Sequence, residues 1–125
     1  MGKGFLIDTN VLIDIQNGVL PESGALKLAE ILDTDFVISF ITYIEFLGHN
    51  SVSSNLEAFV SLAEVIEVNK KIIDQTITIR KANRIKLPDA IIAATTIVYD
   101  RILVSHNIND FKSIDGLELL NPYVL

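Results

Sequence analysis

Short apolar blocks, separated by polar turns, divide the chain into alternating strands and helices. An apolar run that ends at an acid predicts a first strand at residues 4–7, and apolar residues at helical spacing follow it from Val11 to Ile15. Runs of β-branched and other apolar residues predict further strands at 36–39, 65–68, 102–104 and 117–120. The remaining apolar periodicity predicts helices at 22–32, 41–48, 53–62, 70–85, 88–98 and 109–114.

Strands that alternate with helices favour right-handed βαβ crossovers and a parallel sheet that is covered on both faces. We therefore predict an α/β fold, a three-layer α/β/α sandwich with a central, mostly parallel sheet, in one domain over residues 1–125. On the helix at 70–85 we expect a set of isoleucines to face the core: Ile72, Ile73, Ile77 and Ile85. Open parallel sheets bind ligands beyond the carboxyl ends of their strands, so we look for functional side chains there.

Composition limits the chemistry that such a site can use. The chain has no cysteine, so it has no disulfide or thiolate metal site, and any metal must be held by oxygen or imidazole ligands. Charges interrupt each apolar run before the ~20 residues that span a bilayer. The first residues also lack the pattern of a signal peptide. We expect a soluble, cytoplasmic protein without a membrane partner.

The net charge of −6 argues against a broad positive field, but the basic residues are unevenly distributed. Asp74 is the only acid between residues 70 and 86. That segment is either a solvated helix surface or a face that contacts RNA phosphates. It holds six of the ten basic residues: Lys70, Lys71, Arg80, Lys81, Arg84 and Lys86.

Three acids stand where a purely structural role is hard to assign. Asp8 follows the first strand, although it could simply cap the next helix. Asp89 follows Pro88 at the start of an apolar helix, where the helix dipole alone would favour an acid. Glu45 lies among apolar residues, either at a rim or in a polar pocket. If the three converge, their repulsion would be offset by one or two hard divalent cations, Mg²⁺ or Mn²⁺, which can promote attack on a phosphodiester.

These residues lie in segments that resemble the motifs of the PIN-domain family, and in particular its VapC-type toxins. Residues 5–14 (FLIDTNVLID), 43–48 (YIEFLG) and 87–95 (LPDAIIAAT) resemble the family's first, second and third acidic motifs. The resemblance implies a PIN-like fold, Asp8, Glu45 and Asp89 as metal ligands, and metal-dependent endonucleolytic cleavage of RNA. It further implies a homodimer and a small antitoxin protein that occupies the acidic cleft.

A fourth acidic position of the family falls in residues 103–111, where Asn107 stands in place of an aspartate. Asp110 can supply the missing charge, or it can be the N-cap of a short helix that begins at Phe111. Asn107 can still hold a metal-bound water, but it adds no charge.

Four polar residues next to the acids are candidates for orienting a carboxylate or a water: Thr9, Asn10, Ser105 and Asn107. Asn10 can alternatively cap the helix that follows it. Two histidines, His49 and His106, have no partner at metal-ligand spacing and are expected in loops or at the surface. Asp14, six residues beyond Asp8, is expected to be solvated.

Two other functions compete with the ribonuclease. A PIN-like adaptor that has lost catalysis would hold RNA or protein only, and Asn107 keeps that alternative open. A phosphatase of the haloacid-dehalogenase type also begins with an aspartate at a strand end. Its motif needs a second aspartate two residues later, where this chain has Asn10.

Overall fold

The computed structural model describes residues 3–48 and 52–125. The described part contains five strands: β1 (Phe5–Ile7), β2 (Val37–Ser39), β3 (Glu64–Ile66), β4 (Ile102–Val104) and β5 (Glu118–Leu120). It contains seven helices: α1 (Thr9–Gln16), α2 (Glu22–Thr34), α3 (Phe40–Leu47), α4 (Ser54–Val60), α5 (Lys70–Ala82), α6 (Leu87–Val98) and α7 (Ile108–Phe111). No helix among these is long and apolar enough to cross a membrane.

All paired strands run parallel. β4 pairs with both β1 and β5, and β2 pairs with β3. β2 also lies against β1, which gives the spatial order β3-β2-β1-β4-β5. The order along the chain reverses between β1 and β4, and such a reversal opens a crevice at the carboxyl edge of a parallel sheet. The register pairs Ile7 with Val104, so the residues that follow β1 and β4 leave the sheet side by side.

The two faces of the sheet bury separate apolar clusters, because neighbouring residues of a strand point to opposite faces. Leu6 and Leu103 face one cluster, which helices α5, α6 and α7 cover. Ile7 and Val104 face the other, which α1, α2, α3 and α4 cover. The predicted three-layer α/β/α sandwich with a parallel sheet is thereby confirmed.

Helix α5 differs from the sequence prediction in its end and in its buried face. It ends at Ala82 rather than at residue 85, because Asn83 adopts an extended backbone. Ile72 is buried as predicted, but Ile73 and Ile77 are 46% and 49% exposed, so their assignment to the core was wrong. The buried face instead continues through Thr76 and Ile79.

An ion pair between Arg101 and Asp35 joins three of the strands at their amino ends. The Nη1 atom of Arg101 donates to Oδ2 of Asp35 at 2.8 Å and to the carbonyl oxygen of Phe5 at 2.9 Å. The Phe5 amide donates to the same Asp35 oxygen at 3.2 Å. The chain therefore joins β1, the start of β2 and the start of β4 at the edge opposite the candidate acids.

Candidate active site

Asp8 lies at the carboxyl end of β1 and is the most buried of the candidate acids, with 5% of its surface exposed. Its Oδ1 accepts a hydrogen bond from the Thr9 amide at 2.9 Å, so it also caps α1. Its Oδ2 accepts from the Ser105 hydroxyl at 2.8 Å. The strand register explains this second contact, because Asp8 and Ser105 directly follow the paired residues Ile7 and Val104.

The surroundings of Asp8 disfavour its negative charge. Burial, together with the nearby charges of Asp89 and Glu45, raises the pKa of Asp8 to about 6, although the hydrogen bonds from Ser105 and Thr9 act to lower it. A carboxylate that only caps a helix would not need two other acids close enough to raise its pKa. Asp8 is therefore both the cap of α1 and a member of an acidic cluster.

Glu45 reaches the cluster from α3, which begins where β2 ends. Ser39 caps this helix by accepting from the Thr42 amide at 3.2 Å. The Thr9 hydroxyl donates to Oε1 of Glu45 at 2.8 Å and lies 3.1 Å from the Thr42 hydroxyl. Thr9 thus links the first and second acids, through its amide to Asp8 and through its hydroxyl to Glu45.

Thr42 was missed by the sequence analysis. It is fully buried and lies three residues before Glu45, which places both side chains on the same face of α3. That spacing is the signal that could have identified it.

Asp89 lies in the first turn of α6, after Pro88, and is partly buried. Burial raises its pKa, the charges of Asp110 and Glu45 add to the shift, and Lys86 opposes it. The helix behind Asp89 is buried through Ala90, Ile92 and the residues that follow, as its apolar sequence predicted. This packing holds the carboxylate near the other acids rather than in open solvent.

Asp110 and Asn107, the two candidates for the fourth acidic position, contact each other. The Asn107 side-chain amide donates to Oδ2 of Asp110 at 2.7 Å, and the Asn107 backbone amide donates to the Ser105 hydroxyl at 3.0 Å. Asp110 is not the N-cap of a helix that begins at Phe111, because α7 begins at Ile108 and its N-cap is Asn107. A chain of hydrogen bonds therefore runs from Asp8 through Ser105 and Asn107 to Asp110.

The four acids come from four elements and act on one another electrostatically at one edge of the sheet. Within residues 3–48 and 52–125, however, no three His, Cys, Asp or Glu side chains are placed so that they could hold a single ion. The carboxylates are close enough to repel one another but are not already arranged around a single ion position. Its donors are all oxygens, the ligands preferred by Mg²⁺ and Mn²⁺.

A polar cleft of about 560 Å³ adjoins the acids on the α7 side. Its lining includes residues of α1, α7 and the end of the chain: Asn10, His106, Asn107, Ile108, Asn109 and Asn121. Asn10 is not the cap of α1, since Asp8 fills that position. His106 is exposed, as expected, and its ring packs on Tyr123 with 4.2 Å between centroids. The expectation for His49 lies outside the described residues.

The basic segment does not form one continuous face beside the acids. Helices α5 and α6 pack along each other, and the two ends of α5 meet different ends of α6. Lys70 and Lys71 line a pocket with Val98 and Tyr99, at the far end of α6, about 15 Å along the helix from Asp89. Lys70 is also paired with Asp74 at 2.6 Å.

The other four basic residues lie where α5 ends and α6 begins, close to Asp89. Arg80 and Lys81 line a pocket with Leu87, the first residue of α6, and Lys86 acts directly on the charge of Asp89. Arg84 is in the exposed α5–α6 loop, whose Asn83 side chain accepts a hydrogen bond from Ser113, just after α7. Of the six predicted basic residues, only these four lie at the end of α5 and α6 nearest the candidate site.

Comparison with known proteins supports the same conclusion about the fold. The family profile described as PIN domain matches residues 5–117 of this chain. Ribonuclease VapC1 of Haemophilus influenzae (strain R2866) is 28% identical over 127 aligned positions, which cover 91% of this chain and 94% of that protein.

Two solved structures cover nearly the whole chain. A chain of a toxin–antitoxin complex from Klebsiella pneumoniae is 29% identical, with a TM-score of 0.79, and the match covers 98% of this chain and 100% of that one. A chain of VapBC2 from Rickettsia felis, bound to a DNA fragment from its promoter, is 26% identical, with a TM-score of 0.76 and coverage of 94% and 97%. The similarity therefore extends over the sheet and over every candidate acid.

Proposed function

Because this chain belongs to the PIN-domain family, we propose that it is a metal-dependent endoribonuclease and the toxin of a type II toxin–antitoxin pair. The observation that carries the proposal is the network of hydrogen bonds that joins Asp8 to Glu45 through Thr9 and to Asp110 through Ser105 and Asn107. The charge of Asp89, on a separate helix, also raises the pKa of the buried Asp8. Burying one carboxylate among others costs free energy. The cost has a functional explanation if the cluster exists to hold a cation.

The relatives support the more specific parts of the proposal. One is a ribonuclease by name, and two others are chains of toxin–antitoxin complexes. We therefore assign RNA as the substrate and a small antitoxin protein as a partner that covers the acidic cleft. Membership in the PIN-domain family leaves no support for the dehalogenase-type phosphatase. The homodimer stays a prediction.

The donor set fits Mg²⁺ or Mn²⁺, because a cluster of carboxylates without sulfur or histidine suits a hard cation. Asp8, Glu45, Asp89 and Asp110 would hold it. Glu45 and Asp110 are exposed and accept hydrogen bonds from Thr9 and Asn107, so binding of an ion would require their side chains to turn towards the buried Asp8. When bound, the ion supplies Lewis-acid activation at the phosphodiester.

The neighbouring side chains orient the acids and the substrate. Ser105 and the Thr9 amide fix the two oxygens of Asp8, and the Thr9 hydroxyl fixes one oxygen of Glu45. We assign Arg80, Lys81, Arg84 and Lys86 to the RNA phosphates, since they lie at the acidic end of α5 and α6. Their charges offset the repulsion between the RNA backbone and a protein of net charge −6.

The test is cleavage of an end-labelled RNA in the presence of Mn²⁺ and in the presence of chelator. We expect the parent protein to cut with Mn²⁺ only, and Asp8→Asn and Asp89→Asn each to abolish cutting while the fold is retained. Asp14→Asn is the matched control, because it makes the same change on the helix that Asp8 caps. It should cut at the parent rate.

Cleavage that persists in chelator, or in both site variants, would overturn the assignment. A parent protein that binds RNA and does not cut it with any divalent ion would instead support the adaptor. If the genome has a short reading frame next to this gene, coexpression with it tests the partner, because a cognate antitoxin should copurify and suppress cleavage.

A further inference from the structure

The polar cleft beside the acids has a composition that the proposed reaction does not explain. Four of its six lining residues are asparagines and a fifth is a histidine, and none is an acid or a lysine or arginine. A site built for phosphate needs positive charge, and a site built for a cation needs carboxylates. Neutral amides provide neither, so the cleft is suited to a polar, uncharged group.

A nucleobase is such a group. Each asparagine amide carries a donor and an acceptor side by side, and the edge of an unpaired base presents donors and acceptors at matching spacing. A volume of about 560 Å³ is within the range of pockets that hold small molecules. The amides of Asn10 and Asn109 are exposed, and in the described ranges neither is hydrogen-bonded to another side chain, so both retain their capacity for a ligand.

The position of the cleft connects it to the scissile phosphate. Asn107 lines the cleft and also donates to Asp110, while Asn10 and His106 lie within two residues of Asp8 and Ser105. A nucleotide whose phosphate sits at the acids would therefore have a neighbouring base at the cleft.

We propose that the cleft lined by Asn10, His106, Asn109 and Asn121 is a base-recognition subsite, which takes one unpaired RNA base next to the cleavage position. This inference rests on RNA being the substrate. Asn10 and Asn109 read the edge of the base. The ring of His106 supports its flat face, and contact with Tyr123 holds that ring in place.

Base stacking on His106 and hydrogen bonding by Asn10 and Asn109 should affect RNA binding differently. Stacking on an aromatic ring is tolerant of sequence, so His106→Ala should weaken binding of every base together, by roughly five-fold or more. Hydrogen bonds to base edges discriminate between bases. The double variant Asn10→Ala/Asn109→Ala should therefore reduce the ratio between the tightest and weakest bases by roughly five-fold, with a smaller change in the mean affinity.

The experiment measures the equilibrium binding of fluorescent hexaribonucleotides of adenosine, cytidine and uridine in chelator, where metal-dependent cleavage cannot occur. The protein is the full chain, and melting curves verify that each variant is folded. Asn55→Ala is the matched control, because Asn55 is an exposed asparagine on α4, outside the cleft. It should bind all three oligonucleotides as the parent does.

The proposal is overturned if the parent does not discriminate among the three, if the double variant keeps the parent's ratio, or if Asn55→Ala alters that ratio equally. An antitoxin segment as the natural occupant would give the second result. Failure of the ribonuclease assignment would give a different result. If the parent discriminates among the oligonucleotides in chelator but does not cut RNA with Mn²⁺, the base-recognition subsite is supported and the catalytic assignment is wrong.

Discussion

Asp8 is buried in a position that favours its protonated form, yet a metal site needs the carboxylate. In the absence of metal its pKa is raised to about 6, from an ordinary value of 3.8, so the folded chain binds a proton more tightly than the unfolded chain does. The stabilisation is present at pH values below 3.8 and is lost as the pH rises through about 6. The partial burial of Asp89 acts in the same direction.

We therefore predict that the metal-free protein loses about 2 kcal/mol of unfolding free energy between pH 4 and pH 6.5 through Asp8 alone, out of about 3 kcal/mol over the whole titration. Asp8→Asn should remove most of this loss and be at least as stable as the parent at pH 7, because its amide carries no charge. Urea denaturation in chelator across this range measures both effects. An equal slope in parent and variant would show that Asp8 is not the titrating group.

At the residue scale, the sequence was sufficient to identify the candidate acids but not to predict the interactions between them. Asp8 and Asp89 could be selected because one ends a strand and the other begins an apolar helix. Their mutual repulsion depends on β4 lying beside β1, a neighbour relation that local patterns do not determine. The alternative in which Asp110 caps a helix from Phe111 was wrong for a local reason, since Asn107 starts the short helix about one turn earlier.

At the scale of elements, α5 shows why periodicity can select the wrong face. Isoleucines at 72, 73, 77 and 79 cover two adjacent faces of a helix, and both satisfy a helical repeat. The choice depends on Thr76, a polar residue that tolerates burial because its hydroxyl donates to the Ile72 carbonyl oxygen at 2.7 Å. The parallel direction of the strands was predicted correctly, and most of the helix boundaries to within about two residues, because both follow from local patterns of apolar and polar residues.

Two adjacent isoleucines of α5 provide a test of its buried face. Ile72 is 1% exposed, so Ile72→Ala should cost about 2–5 kcal/mol of unfolding free energy. Ile73→Ala makes the same change at a position that is 46% exposed, and should cost less than about 1 kcal/mol. Similar costs measured by urea denaturation would contradict the observed face. A cost at Ile73 that grows with protein concentration would place that residue in the predicted homodimer interface.

The whole molecule is acidic, and six of its ten basic residues lie at or near the two ends of α5. We expect RNA binding to depend on the end near the acids. Replacing Arg80, Lys81 and Arg84 together with Ala should flatten the slope of log affinity against log salt by about 2 units for single-stranded RNA. Lys70→Ala/Lys71→Ala, at the other end of the helix, should leave the slope nearly unchanged. If the two sets of substitutions flattened the slope equally, RNA binding would depend on the overall charge and not on the end of α5 near the acids.

The last prediction concerns the folded molecule as a binder of cations. An ion that binds only the assembled cluster stabilises the fold by mass action, by about 2.7 kcal/mol at 100 times its dissociation constant. For a domain of this size that corresponds to a rise in melting temperature of about 10 °C. Mn²⁺ should give this rise for the parent and for Asp14→Asn, and a much smaller one for Asp8→Asn and Asp89→Asn. Differential scanning fluorimetry at pH 7.5, with chelator as the reference, measures the shift. A rise of equal size in all four proteins would place the cation elsewhere on this acidic surface, and no rise in the parent would leave the burial of Asp8 without its functional explanation.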